Sequence, residues 1–280
     1  MRKTICLGII FLAISMVADC QQQLTAEKKI AYDKNGRIFI NKELGAYLWI
    51  SASPEDSSKK YRLVSDSSTK YVNPMYFDTE GYNTLRSPSC VDTVTKRMIH
   101  PEQDIIFEVY SDSRPPISRS RVIFSNHAIH KGKQVYTGDA KVYISATDEM
   151  SGVGQIYFSI DGKPYTAFSD TLKNFNEGGV ALKYYSVDMV GNIEEIKEML
   201  FYVDRTPPVT TADKSSGKSV KLNAADTLSG VKAVYYQLNN ATVKAYTSPI
   251  KLKSSGNGTL TYWSVDNVNN TEAKKSLALD

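Results

Sequence analysis

Cysteine is nearly missing from this chain: the only three are Cys6, Cys20 and Cys90. The first two belong to an apolar leader, so beyond residue 20 a single thiol remains, and a lone thiol closes no internal disulfide. The fold must then be held by its hydrophobic interiors rather than by covalent staples. Histidine is as scarce, with only His100, His127 and His130. A zinc centre needs three or four ligands, and the pair in "HAIH" reads as two surface side chains in a loop. Charge of one sign is also lacking. The formal net charge is +4 and the lysines are spread along the chain, which excludes a nucleic-acid-binding block. No apolar run after residue 20 approaches the length of about 18 residues that marks a membrane helix. Neither a Gly-x-Ser-x-Gly elbow nor a phosphate-cradling glycine loop is present, which removes the commonest nucleophile and nucleotide signatures.

What is present begins with the leader. Arg2 and Lys3 precede "ICLGIIFLAISMVA", a basic start and an apolar middle of signal-peptide length. Two endings stay open beside a retained N-terminal anchor: cleavage after Cys20, leaving Gln21 first, or lipidation of Cys20 after cleavage before it. Either implies export.

The body of the chain is repetitive. "SVDMVGN" at 186–192 returns as "SVDNVNN" at 264–270. Residues 148–194 align on 226–272 at a constant offset of 78 without a gap. Asp148 meets Asp226, Ser151-Gly152-Val153 meets Ser229-Gly230-Val231, and Tyr184 meets Tyr262. Asp188 meets Asp266, Asn192 meets Asn270, and Glu194 meets Glu272. One register held this long marks an internal duplication. A drifted third copy lies upstream, where "WISASPEDSS" (49–58) and "SCVDTVTK" (89–96) resemble "YISATDEMSG" and "YSVDMVGN". "DSRPP" (112–116) and "DRTPP" (204–208) separate the copies, and paired prolines make short, stiff joints.

Within a copy the apolar period is two. Val234, Tyr236 and Leu238 alternate with Ala233, Tyr235 and Gln237, and Ile156, Phe158 and Ile160 do the same upstream. In the last copy strands are expected near 208–213, 218–225, 231–238, 243–247, 250–253, 259–266 and 273–279. Short strands at this density predict an all-β chain of tandem immunoglobulin- or fibronectin-like sandwiches. The expected organisation is a signal peptide at 1–20, a linker at 21–36, a degenerate repeat at 37–113, and repeats at 114–205 and 206–280. The first two copies carry an additional strand and loop ahead of the shared pattern.

"DRTPPVTT", "AADTLSGVKAVYYQLN" and "GTLTYWSVDNVNNTE" together resemble the OmpL-type repeat domain, a family named after a leptospiral outer-membrane protein. The middle copy matches through Asp148, Ser151, Gly152, Val153, Tyr184, Ser186, Asp188, Gly191, Asn192 and Glu194. The last has Asn269 where glycine is usual, and Asn also tolerates a left-handed backbone. The resemblance implies bacterial envelope or surface display. The family's label implies a membrane barrel, but spanning strands run to about 9–11 residues, and turns interrupt these strands sooner. Sandwich repeats are therefore the expectation.

Candidate chemistry is sparse. Asp148, Asp188, Asn192, Glu194, Asp226, Asp266, Asn270 and Glu272 are recurring oxygen ligands, the kind calcium needs in sets of six to eight. Their simpler use is local, pinning turns through side-chain to backbone bonds. Cys90 aligns with Ser186 and Ser264, a small-residue position with a structural character. Tyr185 and Trp263, one residue beyond Tyr184 and Tyr262, fall on the opposite strand face and are candidates for protein or glycan contact. The sequence points to a non-catalytic exported envelope protein, without cofactor. It serves adhesion or protein–protein interaction at the bacterial surface, with a surface or host protein, or a glycan, as partner. Membrane association would come only through Cys20 or envelope partners. The alternative is a carbohydrate-binding or spacer module accessory to polysaccharide processing.

Overall fold

A computed structural model describes residues 24–47, 49–51, 60–62, 75–77, 79–86, 90–91, 98–99, 106–214, 219–252 and 258–279. The leader with Cys20, and His100, lie outside the described residues. Every regular element among the described residues is a strand. No helix there is long and apolar enough to cross a membrane.

The first module holds β1 (Ile30–Tyr32), β2 (Ile38–Asn41), β3 (Trp49–Ser51), β4 (Lys60–Arg62), β5 (Gly81–Arg86), β6 (Cys90–Val91), β7 (Met98–Ile99) and β8 (Ile106–Asp112). The second holds β9 (Ile117–Ile123), β10 (His127–His130), β11 (Lys133–Thr137), β12 (Lys141–Thr147), β13 (Val153–Ile160), β14 (Thr166–Ala167), β15 (Gly178–Asp188) and β16 (Lys197–Asp204). The third holds β17 (Val209–Asp213), β18 (Ser219–Ala225), β19 (Val231–Leu238), β20 (Lys244–Ala245), β21 (Ile250–Lys251), β22 (Thr259–Asp266) and β23 (Lys275–Ala278). All seven strands expected in the last module are present, the short ones trimmed at their ends.

The second and third modules each close a separate interior between two layers. In the second, Val142 and Ile144 of β12 face Val180, Leu182 and Tyr184 of β15 and Phe201 and Val203 of β16. In the third, Val220 and Leu222 of β18 face Leu260 and Tyr262 of β22. The alternating residues Ile156, Phe158, Ile160 and Val234, Tyr236, Leu238 pack against these interiors, as their period requires. Two closed interiors are the arrangement of sandwich modules.

The duplication is exact in register. β13 pairs β15 from Val153↔Asp188 to Ile160↔Leu182, with an irregularity between Val153 and Gln155. β19 pairs β22 from Val231↔Asp266 to Leu238↔Leu260, with the same irregularity between Val231 and Ala233. The drifted first copy keeps the topology instead. Its sheet order β1-β2-β8-β5 matches β10-β11-β16-β15 in the second module.

That shared order explains the additional segment of the first two copies. It is a hairpin whose inner strand runs parallel to the module's last strand, β2 beside β8 and β11 beside β16. Residues 127–137, read as loop from sequence, are therefore paired strands. Strand alternation puts His127 and His130 on opposite faces, so they do not converge on a metal. β1 likewise falls within 21–36, the stretch expected as linker; three residues, Ile30 to Tyr32, are too few to show a period.

Candidate functional site at the module joints

The last strand of a module ends in aspartate, Asp112 on β8 and Asp204 on β16. Pro-Pro follows at 115–116 and 207–208 and carries the chain into the next module. The missing N–H groups and fixed φ of those prolines keep the connection extended. Each aspartate then bonds to two segments at once. Asp112 Oδ1 accepts from the Arg114 amide (3.1 Å) and Oδ2 from the Ser151 amide of the second module (3.1 Å). Asp204 repeats this with Thr206 (3.2 Å) and Ser229 (3.1 Å).

Two further aspartates come from the following module. Asp148 Oδ2 accepts from the Met150 and Gly152 amides at 3.0 and 2.8 Å. Asp226 Oδ1 accepts from Leu228 and Gly230 at 3.1 and 2.6 Å. Asp188 Oδ1 holds the turn after β15 through the amides of Val190, Gly191 and Asn192. Asp266 Oδ1 does so after β22 through Val268 and Asn270. These turns need a left-handed residue, supplied by Gly191 at φ 95° and Asn269 at φ 70°.

Folding gathers the three into one place. Asp112, Asp148 and Asp188 bring a carboxylate oxygen each within 4.8 Å of one another, and Asp204, Asp226 and Asp266 do the same at the second joint. Four of the six are buried: Asp112, Asp188, Asp204 and Asp266. Among the described residues no cation forms an ion pair with any of them. Burial first, and then repulsion from Asp112, push the Asp188 carboxyl above its usual range despite the Asn192 bonds. Burial likewise raises Asp204, with Asp226 and Asp266 adding to it.

The recurring acids named from sequence thus divide. Asp148, Asp188, Asp226 and Asp266 lie at the joints. Asn192 and Asn270 lie beside them as donors, their Nδ2 groups bonding Asp188 Oδ2 (2.6 Å) and Asp266 Oδ2 (2.7 Å). The same Nδ2 groups reach back across the joint to the carbonyls of Asp112 and Asp204, both at 3.2 Å. Glu194 and Glu272 are elsewhere, inside their own modules. Glu194 accepts from Ser118, Ser186 and Lys197, and Glu272 from Thr210, Ser264 and Lys275. Asp112 and Asp204 were missed. They align at an offset of 92, not 78, because the 125–140 hairpin lengthens the second copy between its opening and its Asp-x-x-Ser-Gly centre. Their place before both Pro-Pro pairs was the available signal.

The hairpin latches the joint. Val190, fully buried, packs with Ala31 and Phe39 of the first module. The Lys29 amide donates to the Val190 carbonyl at 3.1 Å, and Asn41 Nδ2 donates to Asn192 Oδ1 at 2.8 Å. At the second joint His130 rests on Gly230, where a Cβ would lie 2.6 Å from the ring, and Asn269 Nδ2 donates to Asn126 Oδ1 at 2.7 Å.

The contact candidates fare differently. Tyr185 is only 8% exposed, stacked on Tyr157 and met edge-on by Tyr165, so it offers no free ring face as a platform. Trp263 is half-buried, stacked on Tyr235, with Lys274 Nζ 4.7 Å from its ring centre. Ser186 and Ser264, the counterparts of Cys90, are fully buried and bonded to Glu194 and Glu272, a structural use.

Fold and joints together define an all-β protein of tandem immunoglobulin- or fibronectin-like sandwich modules. No family model matches the sequence, and no curated protein matches it. Among solved structures the chain is similar to the fibronectin(III)-like modules of Clostridium thermocellum CbhA, at 11% identity and a TM-score of 0.31. The match covers 57% of this chain and 92% of that one.

Proposed function

We propose that the chain is a non-catalytic, exported bacterial envelope protein. Its modules form a stiffened rod that presents loops and strand edges to a surface or host protein, as the OmpL-type resemblance implies. One observation carries this reading: the joints are specified. The same aspartate, asparagine and serine network recurs at both, reinforced by a hairpin latched onto the next module. A chain whose modules merely followed one another would have no use for two copies of a buried polar junction, which costs desolvation at each. The basic-apolar leader supports export, with the chain reaching the membrane only through Cys20 or a partner. Cell fractionation with surface proteolysis tests this: protease should remove the protein from intact cells, and confinement to the cytoplasm would refute it.

A second reading, a carbohydrate-binding or spacer module, rests on the half-buried Trp263 face. It predicts retention on a polysaccharide column that Trp263→Ala abolishes.

A further inference from the structure

We infer that each module joint is a binding site for a hard divalent cation of the calcium class, held by Asp112, Asp148 and Asp188 at the first joint and by Asp204, Asp226 and Asp266 at the second. The inference holds whatever partner the rod engages. Three carboxylates with an oxygen each within 4.8 Å of one another, mostly buried and without an ion-pair partner among the described residues, are unfavourable as a bare cluster. Buried charge is ordinarily paired or coordinated to metal.

A separate observation points at a ligand. The Ser229 side chain is fully buried and its Oγ has no hydrogen-bond partner. It belongs to the residue whose amide donates to Asp204 Oδ2, and its hydroxyl lies beside that carboxylate. The first joint repeats this. Ser151 is 8% exposed, its Oγ also has no partner, and its amide donates to Asp112 Oδ2. A buried hydroxyl left without a partner costs about 1–3 kcal/mol. That the same orphan recurs beside both clusters marks it as an oxygen kept for a ligand rather than a packing accident. The donor set is all oxygen, with neither histidine nor cysteine, which suits calcium or magnesium and not zinc or copper.

The turn bonds leave room for this. Among the described residues, Asp148 uses only Oδ2 for its turn and Asp226 only Oδ1, so each keeps a carboxylate oxygen free. Turn pinning and coordination are therefore separable. Asparagine at either position keeps the carbonyl oxygen that pins the turn and removes the charge that would hold the metal.

The test uses the full chain, stripped with EDTA and titrated with calcium chloride by calorimetry, with terbium luminescence as a second measure of occupancy. The expected result is two ions per chain, one lost in Asp148→Asn, the other in Asp226→Asn, and both in the double variant. Calcium at about ten times its dissociation constant should raise the melting temperature by about 5 °C. Magnesium at equal concentration should do less, because it demands a stricter geometry. The EDTA-stripped variants should melt within about 2 °C of the stripped parent, since their turns keep their acceptors. Absence of terbium or calcium uptake by the parent chain overturns the inference irrespective of the variants. So does a calcium-induced shift that survives in the double variant.

Discussion

Removing the Glu194 carboxylate by Glu194→Ala should unfold the second module far more readily while sparing the third. The side chain is 7% exposed and ties β9 to β15. Oε1 accepts from the Ser118 amide at 2.7 Å and from Lys197 Nζ at 2.5 Å. Oε2 accepts from Ser118 Oγ at 2.5 Å, Ser186 Oγ at 2.8 Å and the Ser186 amide at 3.2 Å. Alanine orphans these buried donors and leaves Lys197 Nζ with only the Ser118 carbonyl as acceptor. Breaking a buried ionic network in this way costs about 3–5 kcal/mol, with Lys197, which is 36% exposed, recovering part through water. A module of this size has only about 5–13 kcal/mol in total. At roughly 4–8 °C per kcal/mol its melting temperature should fall by about 15 °C or more. The third module supplies an internal comparison. There the Thr210 hydroxyl bonds Ser264 Oγ at 2.7 Å, so it keeps a partner when Glu272→Ala removes the carboxylate. Its cost should be smaller, about 2–4 kcal/mol. Differential scanning calorimetry of the full chain separates the transitions. A loss under about 3 °C in both variants would refute the clamp and reduce these glutamates to passengers.

The same carboxylates set an acid limit. Burial opposes the charge on Glu194, but bonds from Lys197, Ser118 and Ser186 outweigh it and hold the carboxyl below the ordinary glutamate range; Glu272 behaves alike. A depressed folded-state pKa stabilises above the unfolded value and is lost as pH falls through the folded one. The stability gap between the parent chain and Glu194→Ala should therefore be constant near neutrality and close on acidification below that range; a gap unchanged to pH 2 by urea titration would contradict the linkage. Asp188 and Asp204 run the other way, since raised carboxyls weaken the fold as pH rises through them, so calcium should stabilise the chain more at neutral than at acidic pH. Gly191→Ala should loosen the first joint, because φ is 95° and the new Cβ would lie 2.3 Å from the Glu27 carbonyl oxygen. Faster hydrogen exchange at the Lys29 amide, which bonds Val190, with the second module's interior unchanged, is the expected result. Unaltered exchange there would show the latch to be dispensable.

The sequence by itself determined the module. Period-two alternation in Val234, Tyr236 and Leu238, turn residues between short apolar runs, and one register held from 148 to 194 are local properties, and local properties are written in adjacent residues. Even the substitution of Asn269 for glycine was legible, because the left-handed turn constrains only the residue that makes it. The joint was not legible in this way. Asp112 stands 36 positions before Asp148 and 76 before Asp188. Nothing in their spacing says that a strand end, a Ser-Gly turn and a Gly-Asn turn will meet. The hairpin at 127–137 also broke the offset that made the other pairs visible, and its strands looked like loop because half of each faces the neighbouring module or solvent. Tyr185 shows the same boundary, since alternation places it off the interior but only packing against Tyr157 and Tyr165 covers it. Which surface of a module meets the next depends on how two closed sandwiches dock, and docking is decided by side chains brought together from distant segments.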